Sequence, residues 1–217
     1  MYEIPLFPLN TVLFPFTPIR LFIFEERYKR MIQNCLDKDQ AFGVVLIRRG
    51  VEAMGPLAEP YPIGTSAKIT ETQRLKDGRM NIVASGQERF RILSLDKDAL
   101  PYLVGQVAPY PLHSDDPASL DTSGKRLSYW VRRYLRMLEQ AGNTQLDLNQ
   151  IPQDAVRLAY MAASLVQIPT QQKQQLLTIP EAVDLLEEVR AIYRREVVLL
   201  KTMLSNQARE NGVFSMN

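Results

Sequence analysis

The 217-residue chain holds one cysteine, one histidine and one tryptophan, and it lacks any apolar run of the length that crosses a bilayer. Each shortage excludes something. A lone Cys35 cannot close an internal disulfide, so nothing points to an oxidising compartment. One Cys and one His cannot assemble a zinc site of familiar type. Nucleophile–base catalysis usually draws on a histidine, and the single candidate, His113, lies in a proline-rich stretch. Charge of one sign is also missing: 26 basic and 24 acidic residues leave a net +2, which neither demands nor forbids an anionic partner. The opening Met1-Tyr2-Glu3-Ile4-Pro5 has none of the basic, apolar and small-residue pattern of a signal peptide. A cytoplasmic protein without a membrane segment is therefore expected.

The chemistry search continues to return absences. Asp121-Thr122-Ser123-Gly124-Lys125-Arg126 approaches a phosphate loop, but Ser119 stands where the first glycine belongs and Arg126 where Ser or Thr belongs. The adjacent carboxylates Glu25-Glu26 and Glu187-Glu188 point in different directions on a helix and make no acid–base pair. Cys35 falls on an apolar helical stripe, the place of a small buried hydrophobe. A chain with no catalytic residues, no metal and no cofactor is the expectation.

What is present divides into two textures. Residues 1–112 are rich in proline, glycine and β-branched or aromatic residues, in short runs. From residue 117 onward the sequence carries helical periodicity, so subdomains over 1–112 and 117–211 are expected, joined by Pro109 to Pro117. In the first, Ala41–Ile47, Gly64–Thr72, Arg79–Ala84, Arg89–Leu93 and Tyr102–Val107 read as strands. Asp77-Gly78 supplies a hairpin turn, and Gly86 marks a bulge or a close backbone approach. Tyr28, Met31, Ile32, Cys35 and Leu36 fall on one face of an intervening helix.

In the second, Leu127, Trp130, Val131, Tyr134, Leu135 and Leu138 form a stripe closed by Gly142. Ala155, Leu158, Ala159, Ala162, Ala163 and Val166 form another, and Thr170–Leu177 a short helix. Thr178-Ile179-Pro180-Glu181 reads as a capping box opening a last helix that runs to Glu210 and stops at Asn211-Gly212. Its seam, Leu186, Val189, Tyr193, Val197, Leu200 and Leu204, extends far enough that Leu200 and Leu204 become candidates for contact with a second copy. Lys125, Arg126, Arg132, Arg133 and Arg136, with Tyr129 among them, make a basic helical face. Such a face is either simply solvated or a grip for nucleic acid, a partner against which the near-neutral total charge weighs.

One stretch carries a more specific signal. Leu6-Phe7-Pro8-Leu9, Pro15 and Leu21-Phe22-Ile23-Phe24-Glu25-Glu26-Arg27-Tyr28 resemble the opening signature of the Lon protease N-terminal domain family. The likeness continues through Gly43-Val44-Val45-Leu46-Ile47, Ile63-Gly64-Thr65, Asp77-Gly78-Arg79-Met80-Asn81-Ile82, Gly86-Gln87-Glu88-Arg89-Phe90-Arg91-Ile92 and Pro101-Tyr102-Leu103, in that order. Phe16 stands where relatives often have glycine, and Phe22 where many have histidine. The resemblance implies an α+β fold: a six-stranded PUA-like pseudo-barrel with one helix, followed by a helical bundle ending in a long helix. It also implies a stand-alone module that recognises unfolded or exposed apolar polypeptide segments, as an adaptor or holdase, without the ATPase and protease domains. PUA-like barrels also serve RNA systems, so RNA binding through Lys125, Arg126, Arg132, Arg133 and Arg136 is the alternative. Phe14 and Phe16, in the proline-rich loop, are the candidate polypeptide contacts, against core packing for both. Arg89 is expected to satisfy Glu25 in a structural pair.

Overall fold

The computed structural model describes residues 1–142 and 147–214, with side chains through Leu204. Its elements, in chain order, are β1 (Tyr2–Leu9), β2 (Pro18–Ile23), α1 (Glu26–Asp37), β3 (Phe42–Arg49), β4 (Glu59–Pro60), β5 (Ile63–Arg74), β6 (Met80–Asp96), β7 (Val104–Pro109), α2 (Pro117–Gly142), α3 (Ala155–Leu165), α4 (Thr170–Thr178) and α5 (Ala182–Phe214). A 3₁₀ turn, Leu148–Gln150, precedes α3. Contacts sort these into two compact units: Met1–Leu112 with Ala163–Pro180, and His113–Ala162 with Glu181 onward. Chain order alone places 163–180 in the helical part, whereas α4 groups with the strands.

In the first unit the sheet follows the order β1-β7-β6-β5-β3, and a parallel pairing of β1 with β3 joins the two ends into a ring. The fold is α+β, as expected, with seven strands rather than six; the extra one is the two-residue β4 beside β3. β6 is a single strand where sequence runs suggested two. Its first half pairs with β2, and its second half with β7. Inward residues alternate with outward ones, so Met80, Ile82 and Ala84 enter the core with Phe7, Tyr28, Met31, Ile32 and Phe42. Phe7 stacks on Tyr28 with ring centroids 4.1 Å apart. The hairpin between β5 and β6 turns at Gly78, whose φ of 79° favours a residue without Cβ.

Gly86 sits where β6 changes partner. Its carbonyl accepts the Phe16 N–H at 2.8 Å, and its own N–H donates to the Thr17 carbonyl at 2.9 Å. A Cβ there would lie 2.3 Å from the Phe14 carbonyl oxygen. The glycine signal thus reports a close backbone approach that seats the proline-rich loop.

In the second unit, α2 and α5 pack along their apolar stripes: Tyr134 meets Tyr193 edge to face at 5.1 Å. The Tyr193 hydroxyl donates to the Ala162 carbonyl at 3.0 Å, and burial pushes its ionisation well above the usual tyrosine range. Two expected helix boundaries differ. The Thr178 hydroxyl donates to the Gln175 carbonyl, closing α4 rather than capping α5. Pro180 lies before the first turn, and α5 begins at Ala182, after a bridge between His113 and Glu181. At its far end α5 continues through Asn211 and Gly212 to Phe214.

Candidate functional site

The strand β2 and its flanks display a one-sided row. Residues 16, 18, 20, 22 and 24 are exposed, whereas 17, 19, 21 and 23 are buried or half-buried. Strand geometry explains the alternation within β2, because successive side chains point to opposite faces. The inward set, Ile19, Leu21 and Ile23, packs on the core. The outward set is Phe16, Pro18, Arg20, Phe22 and Phe24, with the three phenylalanines 51%, 47% and 41% exposed. Single exposed apolar residues need no explanation, but three aromatics within nine residues, on one short strand and its flanks, do.

These aromatics are held in place. Phe22 and Phe24 lie with ring centroids 5.9 Å apart, and the Arg79 guanidinium sits 5.3 Å from the Phe22 centroid. Arg79 is fixed in turn by Asp77, whose carboxyl that contact holds below the usual range. At the other end Phe16 occupies a φ of 62°, a conformation bulky residues seldom adopt, and its N–H is bound to Gly86. Beside Phe22 runs a groove of about 530 Å³ whose lining includes Arg20, Glu71, Gln73, Asn81 and Val83.

A second apolar feature adjoins the Phe24 end. Glu25 pairs with Arg27 at 2.9 Å and accepts the Met54 N–H at 3.3 Å, while Arg27 donates to the Gly55 carbonyl at 3.1 Å. The loop so tied presents Met54, 86% exposed with φ 60°. A thioether on a loop adapts its shape to varied apolar partners.

Sequence reasoning singled out Phe14 with Phe16, and the structure separates them. Phe14 is fully buried and offers no surface, so core packing holds for it and not for Phe16. Phe22 and Phe24 stand out in the sequence only as parts of a motif. The alternation from 16 to 24 was the available signal, obscured by the prolines that break the run.

Arg89 does not reach Glu25. It is buried and donates from one Nη to the carbonyls of Leu177 at 2.8 Å and Ile179 at 2.6 Å. Its guanidinium lies 4.9 Å from the Tyr110 centroid, and the Tyr110 hydroxyl donates to the Thr178 carbonyl at 2.9 Å. The last carbonyls of a helix lack intrahelical donors and carry partial negative charge, which a cation satisfies. Arg89 and Tyr110 therefore cap the C-terminus of α4 and fix it to the strands, as does Gln174, which donates to the Ile63 carbonyl at 2.9 Å.

The basic helix is partly engaged with itself. Lys125 pairs with Asp121 at 2.6 Å. Arg132 donates to Ser128 and to the Leu148 carbonyl, and Arg133 to the Tyr129 hydroxyl at 3.2 Å. Arg126 and Arg136 are exposed. On α5, Leu200 and Leu204 are half-buried, while Val198, Leu199 and Met203 are 63%, 57% and 68% exposed. Cys35 is buried in the core, which pushes its thiol up to about 11. His113 is exposed. Among the described residues no cluster of three His, Cys, Asp or Glu side chains could hold a metal, and no helix is long and apolar enough to cross a membrane.

A ring-shaped sheet with one packed helix, a helical unit and an exposed aromatic row make up the described residues. The chain belongs to the ATP-dependent protease La (LON) substrate-binding domain family, whose sequence model matches residues 3–195. It is 29% identical over 206 residues to Lon protease 1 of Thermus thermophilus, covering 90% of this chain and 25% of that protein. It is 26% identical over 213 residues to Lon protease 2 of Myxococcus xanthus, covering 95% and 25% respectively. The chain thus spans about a quarter of the length of these curated relatives. Its structure is similar to that of a Lon N-terminal domain protein from Xanthomonas campestris, with TM-score 0.66 and 27% identity over 88% of this chain and 98% of that one. The N-terminal domain of a Mycobacterium avium complex Lon protease shares the fold at TM-score 0.63 and 17% identity, covering 89% and 98%.

Proposed function

We propose that this chain is a non-catalytic polypeptide-recognition module, binding unfolded or exposed apolar segments in the manner of an adaptor or holdase. One observation carries the reading: Phe22 on β2, and Phe16 and Phe24 on the segments that flank it, stand exposed, two of them braced by ring and cation contacts. Rigid aromatic side chains give large contact area at little entropic cost, so such a row suits binding of varied apolar sequences. Membership of the substrate-binding family supports the same direction.

RNA binding through the basic helix has weaker support. Of the five cations, Lys125 is paired with a carboxylate and Arg132 is occupied by Ser128 and a backbone carbonyl. The two readings separate by salt. Binding of reduced, carboxymethylated lactalbumin to the purified chain, followed by fluorescence anisotropy, should change little between low and moderate salt, because apolar burial dominates. RNA binding would weaken steeply over the same range as counterions are released. Binding that survives nuclease and salt supports the polypeptide reading; binding that requires RNA refutes it.

A further inference from the structure

The mode of recognition can be taken further, resting on the polypeptide reading above. β2 pairs with β6 along its whole length, Pro18 to Ser85 through Ile23 to Met80, and with no other strand among the described residues. Among the described residues, no backbone hydrogen bond outside that pairing involves residues 18–23. One row of β2 amides and carbonyls therefore faces outward; Phe22 lies on this same strand, with Phe16 and Phe24 on its flanks. An open edge is a template for another strand, which is why proteins commonly blunt it. Here the blunting is partial. Pro18 removes one donor at the strand's start and Arg20 places one cation in the middle, leaving Ile19 to Ile23 able to pair.

We infer that an extended segment of a bound polypeptide adds to the sheet as a strand on the free edge of β2. Its backbone takes up the outward amides and carbonyls, which gives affinity indifferent to sequence. Its alternate side chains lie against Phe22 on the strand and Phe24 just beyond its end, selecting apolar residues there. Beside them the positive Arg20 favours a carboxylate in the segment and disfavours a lysine. The pairing length, about five residues or roughly 17 Å, makes a small interface, so affinity in the micromolar range is expected.

Amide hydrogen exchange of the whole chain tests this, with and without a peptide of about ten residues carrying leucine at alternate positions and one central glutamate. In the free chain, alternate amides among residues 19–23 exchange quickly. With saturating peptide these same amides slow by about tenfold or more, while their neighbours bonded to β6 barely change. N-methylation of alternate peptide amides weakens binding about fivefold per site, and methylation at the intervening positions does not. Replacing the glutamate by lysine weakens it as well. Peptide that binds, and binds less well to Phe22→Ser, without altering any β2 amide would overturn strand addition and leave polypeptide recognition standing. Failure of the peptide to bind at all would overturn both. Amides already protected in a free chain of twice the expected mass would show a second copy on this edge, and would equally overturn the inference.

Discussion

The amide of Phe16 donates to the carbonyl of Gly86 at 2.8 Å across a gap that admits no side chain, since a Cβ on Gly86 would fall 2.3 Å from the Phe14 carbonyl. This contact connects the interior with the display surface. It lets Phe14 turn inward into full burial while Phe16, two residues on, turns outward to 51% exposure. Gly86→Ala forces backbone atoms apart and is expected to cost about 3 kcal/mol in urea unfolding. Unchanged stability would show that the loop seats itself without this approach.

A second prediction concerns Arg89. Its Nη bonds to Leu177 and Ile179 hold the C-terminus of α4. Arg89→Met leaves a buried and a half-buried carbonyl without these donors and is expected to lower stability by about 2–4 kcal/mol. Lysine, with a compact ammonium in place of the planar fork, restores only part of the loss. Faster amide exchange across residues 170–178, ahead of the β6 amides, is the specific signature. An unaltered melting temperature would contradict the capping role.

The third prediction is chemical. Burial lifts the Cys35 thiol to about 11, so at pH 8 the reactive thiolate is scarce and the site is closed besides. Iodoacetamide should leave the native chain unmodified at pH 8 and label it fully in denaturant. Because the folded-state value is the raised one, the linked stability is intact below about pH 9. It is lost as pH climbs towards 11, and Cys35→Ala should flatten that decline. Rapid labelling of the folded chain would show that the first helix opens readily.

Much of this architecture is legible in the sequence, for identifiable reasons. The stripe Tyr28, Met31, Ile32 and Cys35 has one period and one buried face, so α1 follows directly. Asp77-Gly78 and Gly86 are positions where backbone geometry limits the residue type, so they too are readable. The expectations that differ share another cause. Arg89 was matched to a carboxylate because charge seeks charge, yet a helix terminus offers backbone carbonyls that leave no trace in residue identity. The grouping of α4 with the strands depends on those same bonds and was invisible for that reason. Phe14 and Phe16 look alike in sequence; the Gly86 contact and a positive φ at 16 send them opposite ways.

The basic helix supplies a control. Arg126→Ala, Arg133→Ala and Arg136→Ala, combined, should leave binding of an unfolded polypeptide within about twofold at moderate salt, since exposed charges act mainly through screened fields. A loss beyond tenfold would move the binding surface to α2.

The central claim is that the outward face of β2 recognises polypeptide. Its most direct test is the affinity of the combined Phe16→Ser, Phe22→Ser and Phe24→Ser variant for reduced, carboxymethylated lactalbumin, beside its melting temperature. All three side chains are exposed, so the fold should tolerate the change with little loss of stability. The account predicts a folded protein whose binding falls at least tenfold; a folded protein that binds as tightly as the parent would contradict it.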